Sequence, residues 1–185
     1  RVVAGRGGRE TYHGPGQLVA YPVVALRADG RGVRSFVSAL EGAMCEVART
    51  AGVEACSREG LPGIWVGGAD GPAKLGFVGL AVRRGVTLHG CALNVERRAE
   101  AGFSGFAPCG LPGVRVTSLE ALAPGRTPPV EAAARIFALA LAERLSLRAV
   151  EDEALGRTEA TRPPAPGAPQ ENDGRQLPPR AILAR

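Results

Sequence analysis

Residues 73–95 read AKLGFVGLAVRRGVTLHGCALNV, and this stretch decides the fold class. Lys74 to Val82 and Val86 to Val95 are two apolar runs rich in Val and Leu, joined at Arg84-Gly85, which predicts an antiparallel β-hairpin. Working upstream, Gly67-Gly68-Ala69-Asp70-Gly71 reads as a turn and Ile64-Trp65-Val66 as a short strand. Ser35 to Ala51 predicts a helix: Phe36, Leu40, Ala43, Met44 and Val47 share one face, Ser35 is placed to cap the start and Gly52 follows the end. Gln17 to Leu26 reads as a further strand. Downstream, Thr117 with Glu120 fits a capping box for a short helix. Thr127 and Pro128 then precede a helix over Val130 to Leu145. Strands mixed with two substantial helices imply an α+β domain, a mainly antiparallel sheet with helices packed on it.

The remaining composition narrows the function. The chain has 185 residues, 45% hydrophobic and 22% charged, enough for one domain with a proper core. The longest apolar runs, Val19 to Leu26 and Ile136 to Ala142, fall far short of the about 18 residues of a membrane span. Four cysteines (Cys45, Cys56, Cys91, Cys109) lack the spacing of a zinc site or a disulfide framework, and there are two histidines. We therefore expect reduced thiols in a cytoplasmic protein, with no metal and no other cofactor. The net charge of +5 is spread out, and aromatics are 4% of the chain, too few for a stacking surface, so no nucleic-acid partner is expected. The chain opens at Arg1 with no leader segment and no initiator Met, which suggests an incomplete start. From about Gly156 it is rich in Pro, Ala and Arg. The expected organisation is a domain over 1–150 and a disordered tail over 151–185.

Four segments carry residues suited to chemistry. Of 23 basic residues, 22 are Arg and one, Lys74, is Lys. Arg stays protonated, whereas a crowded Lys can trade a proton, so the exception stands out. Lys74 leads an apolar strand, and burial of its stem against Leu75 and Phe77 is expected to favour the neutral amine. Gly76 and Gly79 weaken that strand unless something must approach its backbone, as an acyl chain would. Arg6 to Gln17, RGGRETYHGPGQ, is a glycine-rich loop that lacks both the P-loop and the dinucleotide spacing. His89, in LHGCALN, fits a hydrogen-bonded core residue better than a catalyst, and Cys91 a small apolar wall. Cys109, between Pro108 and Gly110, sits in a turn where the Gly110 N–H is open to a developing oxyanion. The triplet alone is slightly more consistent with a structural cysteine.

Together, RGGRETYHGPGQLVAYP (6–22), AKLGFVGLAVRRGVTLHGCALNV (73–95) and APCGLPGVRVTSL (107–119) resemble the lipoyl(octanoyl) transferases, relatives of the lipoate and biotin ligases. The resemblance spans most of residues 1–148. It implies the biotin/lipoate ligase catalytic fold with its N-terminal part missing, because family members have several dozen residues ahead of the RGG loop. It also implies Cys109 as acyl-thioester nucleophile and Lys74 as its catalytic partner. Arg6, Gly7, Gly8, Arg9, Glu10, Thr11, Tyr12 and His13, with Phe77, Val78, Gly79, Gly90, Cys91 and Ala92, fall where the family holds the acyl group. The implied reaction moves an octanoyl (or lipoyl) group from acyl carrier protein to a lysine of lipoyl domains, in 2-oxoacid dehydrogenase E2 subunits and the glycine cleavage H protein, without ATP or cofactor. Two alternatives remain at this stage: an ATP-dependent ligase on the same fold, with no use for Cys109, and a truncated binding module that does not turn over.

Overall fold

The computed structural model describes residues 11–26, 32–68, 71–105, 110 and 113–147. The tail expected over 151–185 lies outside them. The element order is β1 (Gln17–Ala20), α1 (Val33–Thr50), β2 (Cys56–Arg58), β3 (Leu61–Val66), β4 (Ala73–Lys74), β5 (Gly76–Arg83), β6 (Val86–Asn94), a 3-10 helix (Arg97–Phe103), β7 (Arg115–Val116), α2 (Leu119–Leu122) and α3 (Val130–Arg144). The expected α+β class holds. One sheet has the order β1-β6-β5 and the other β2-β3-β4-β7. All pairs are antiparallel except β4 with β7.

The hairpin forms as its turn dictates. Arg84 (φ 52°) and Gly85 (φ 84°) both take left-handed backbone, the twist that matches two antiparallel strands, and Arg83 pairs with Val86. Lys74, however, is not part of the hairpin strand. It belongs to the other sheet, and the chain crosses between sheets at Leu75. The Leu75 N–H donates to the Ile64 carbonyl at 3.0 Å, and its carbonyl accepts from Asn94 N at 3.1 Å. One residue thus satisfies its backbone in both sheets.

Both long helices cover one side of the sheets. Phe36, Leu40, Met44 and Val47 of α1 are fully buried, as the helical spacing predicts, and meet Ala133 and Phe137 of α3 over Leu18, Ile64, Leu75, Cys91 and Leu93. Gly76 lies beneath this layer. A Cβ there would come 2.8 Å from Ile64 Cγ1 and 2.9 Å from Met44 Sδ. What approaches the backbone at Gly76 is therefore the packed core and not an acyl chain.

Other expectations need correction. β1 ends at Ala20 and not at Leu26, because Pro22 has no N–H to give a ladder. Beyond it, Thr87 Oγ1 takes over, donating to the Pro22 carbonyl (2.7 Å) and accepting from Val24 N (2.8 Å). β2 was not expected: its three residues are all exposed and carry no apolar pattern. Gly32, not Ser35, occupies the α1 cap, and the Ser35 hydroxyl donates to the Gly32 carbonyl. Ser118, not Thr117, caps α2, accepting from Ala121 N at 3.2 Å. Pro129, not Thr127, precedes α3.

Candidate active site

On the face of the sheets away from the helices, polar and aromatic residues gather around Lys74. Ile64 and Val66 belong to the core under α1, so by strand alternation the intervening Trp65 points the other way. Trp65 pairs directly with Lys74 across β3 and β4, so their side chains share a face. Lys74 pairs on its other side with Val116, and its carbonyl accepts from Thr117 N at 3.0 Å. The lysine is 1% exposed. Its Nζ donates to the Pro62 carbonyl at 2.7 Å and lies 4.3 Å from the Trp65 ring centre and 5.6 Å from that of Phe77.

Rings continue away from the lysine. Phe77 stacks on Phe103 with centres 4.7 Å apart and planes 9° apart, and Tyr12 meets Phe103 edge-on at 5.7 Å. Beside them runs a chain of amides. Gln17 Nε2 donates to Asn94 Oδ1 at 2.8 Å, and Asn94 Nδ2 donates to the Thr117 carbonyl at 2.9 Å. Gln17 Oε1 accepts from Gly14 N at 3.2 Å and lies 3.4 Å from His13 Nδ1. These bonds fix the entry of the Thr11–Gly14 segment to β1 and tie it to the strand end from which the 3-10 helix departs. Along the β4–β7 edge a cleft of about 320 Å³ is lined by Val66, Gly67, Gly68, Ala73, Arg115, Val116, Thr117 and Leu122.

Arg6, Gly7, Gly8, Arg9, Glu10 and Cys109 lie outside the described residues. Thr11, Tyr12 and His13 stand at the entry to β1. Thr11 Oγ1 is, among the described residues, a buried side-chain oxygen with no hydrogen-bond partner. The two strand triplets straddle the sheet. Phe77, Gly79 and Ala92 take the Lys74 face, whereas Val78 and Cys91 turn toward the helices and pack with the core. Gly90 is closed off by β1, since a Cβ there would run into the Ala20 carbonyl and come 2.8 Å from Pro22 Cδ. Burial pushes the Cys91 thiol well above the usual range, so it is a poor nucleophile. Cys45 on α1 is raised to about 11, first by burial, then by Cys56 and Glu41. His89 sits at the far end of the hairpin, opposite Leu80, about 13 Å along the strand from Gly76. Trp65, Phe103 and the Gln17–Asn94–Thr117 chain are contributions that the sequence reading did not assign. Trp65 is the chain's one tryptophan, but only the strand register ties it to Lys74.

The model of the lipoyl protein ligase A/B catalytic domain matches residues 2–142. The chain belongs to this family. It is 51% identical over 128 residues to an octanoyltransferase of Novosphingobium aromaticivorans, covering 69% of this chain and 57% of that one. An octanoyltransferase of Sphingopyxis alaskensis is 49% identical, covering 64% and 55%. This lipoyl ligase A/B family chain thus spans little more than half the length of the curated relatives it matches. Its fold is shared with a bipartite lipoate protein ligase of Thermoplasma acidophilum, at a TM-score of 0.60 and 19% identity, over 80% of this chain and 58% of that one. Among the described residues no helix is long and apolar enough to cross a membrane, and no cluster of His, Cys, Asp and Glu could hold a metal.

Proposed function

We propose that the chain transfers an octanoyl group from acyl carrier protein to the lysine of a lipoyl domain, by way of a thioester on Cys109. The observation that carries this reading is the burial of the sequence's single lysine, at the crossing of the two sheets and against two aromatic rings. Of the described residues that flank Cys109 in the sequence, Phe103 stacks on Phe77 and Val116 of β7 pairs with Lys74.

In the first step the Cys109 thiolate attacks the donor thioester. Its sulfur–acyl bond forms as the bond to the carrier sulfur breaks, and the carrier sulfur takes the proton of the Lys74 ammonium and leaves as a thiol, which leaves Lys74 as the neutral amine. In the second step the acceptor amine attacks octanoyl-Cys109, an amide forms, and the Cys109 sulfur departs. One thioester for another is nearly isoenergetic and thioester to amide is downhill, so no nucleotide is needed. The Lys74 ammonium favours the thiolate in the first step, and the neutral amine accepts the acceptor's proton in the second. Phe77, Phe103 and Tyr12 offer apolar contact to the alkyl chain, worth roughly 0.8 kcal/mol per buried methylene. In this reading the acceptors are the lipoyl domains of 2-oxoacid dehydrogenase E2 subunits and the glycine cleavage H protein, and the compartment is the cytoplasm.

Incubation with octanoyl-acyl carrier protein, followed by intact-mass spectrometry, tests the reading. A gain of one octanoyl group is expected, absent in Cys109→Ala, with transfer to an added lipoyl domain in the absence of ATP. An adduct that survives in Cys109→Ala moves the nucleophile elsewhere. Transfer that requires ATP makes the chain a ligase.

A further inference from the structure

We propose that Trp65 is a positioning residue for the transfer: its ring face holds Lys74 in place and keeps its buried nitrogen protonated. Lys74 and Trp65 are 1% and 2% exposed, so the nitrogen has exchanged hydration for protein contacts. An ammonium in that position sheds its proton readily unless negative potential replaces the lost water. Among the described residues such sources include the Pro62 carbonyl and the negative π-face of Trp65, with Nζ 4.3 Å from its centre.

The ring is held to this task. Trp65 Nε1–H donates to the Leu61 carbonyl at 3.1 Å, which fixes its plane, and the direct cross-strand pairing with Lys74 fixes its register. Gly63 lies between the two acceptor carbonyls and Trp65, with φ 113°. A Cβ there would run into the Gly76 carbonyl and lie 3.3 Å from Lys74 Cε, so the lysine stem passes where only glycine leaves room. Among the described residues, the neighbouring elements bring the following charged and titratable groups to this row. From α1 comes Glu41, whose carboxylate accepts from Gly63 N at 2.8 Å. From β2 come Arg58, 5.7 Å from the Trp65 ring centre, and Cys56, paired with Trp65. Arg115 adjoins Val116 on β7. The consequence for catalysis rests on the proposed function: a protonated Lys74 makes Cys109 a thiolate at neutral pH.

The chain contains one lysine and one tryptophan, which makes the test unambiguous. The protein is produced with 15N,13C-lysine and with tryptophan replaced by mono-, di- and tetrafluorinated analogues, which drain the ring face while nearly preserving its shape. The Lys74 side-chain signals are then titrated by NMR, and the Cys109 alkylation rate is measured against pH in parallel. The Lys74 midpoint is expected to fall stepwise with fluorination, by about one pKa unit across the series, and the Cys109 midpoint to rise. Trp65→Leu should reproduce the full drop and Trp65→Tyr restore most of it. A Lys74 midpoint unmoved by fluorination, in folded protein, overturns the proposal and leaves Trp65 as packing. A falling lysine midpoint with an unmoved thiol supports Trp65's role at the amine and overturns instead the coupling of Lys74 to Cys109.

Discussion

At Lys74 the contacts that the described residues make with its nitrogen include the Pro62 carbonyl, the Trp65 ring and the Phe77 ring. A guanidinium would keep the charge but could not release a proton. Lys74→Arg is therefore expected to form the octanoyl-Cys109 adduct more readily than it passes the group on. Transfer in single turnover should fall by at least about 100-fold. Near-normal transfer in that variant would reduce Lys74 to a fixed charge. Gly63→Ala tests the seat itself. Its backbone φ of 113° and the Gly76 carbonyl leave no place for a methyl group, so a loss of about 1–3 kcal/mol in denaturant unfolding is expected, with a displaced Lys74 signal. An unchanged denaturation midpoint would show that the strand start moves freely.

Elements differ in how far their residues announce them. The hairpin was legible because Arg84-Gly85 is a local turn, and α1 because Phe36, Leu40, Met44 and Val47 repeat at helical spacing over about three turns. The membership of Lys74 in the second sheet was not legible. It depends on pairings with Trp65 and Val116, nine and forty-two residues away, that no local pattern encodes. Caps were misplaced by one to three residues: Gly32 and Pro129 begin their helices without a side-chain cap bond, and at α2 it is Ser118 and not Thr117 that accepts from Ala121 N. Gly76 was read for the wrong neighbour, since it is Met44 that comes close there. Gly76→Ala should therefore destabilise the chain by about 1–3 kcal/mol through overpacking. If its octanoylation is intact under conditions where it remains folded, Gly76 has no part in holding the acyl chain.

For the molecule as a whole, family membership and the helix-on-sheet architecture were both readable in advance, because the three motif segments are long and ordered. The proposed pairing of Cys109 with Lys74 rests on the resemblance, and Cys109 lies outside the described residues. A global property follows from the buried thiols. The folded state holds Cys91 and Cys45 neutral above the ordinary thiol pKa of about 8.5, whereas the unfolded chain releases those protons. Their contribution is complete below that value and is lost as pH rises through the folded pKa, near 11 for Cys45 and higher for Cys91. Urea midpoints in reductant should therefore fall between pH 8 and pH 10.5. Cys91→Ala should flatten that fall, and an equally steep decline in the variant would assign the alkaline lability to other groups.

The seclusion of the one lysine has a bearing on self-modification. The one lysine among these 185 residues is buried, so on the proposed function this stretch exposes no lysine side chain that could intercept an acyl group on its way to a partner. Self-acylation at lysine would then not erode turnover through these residues.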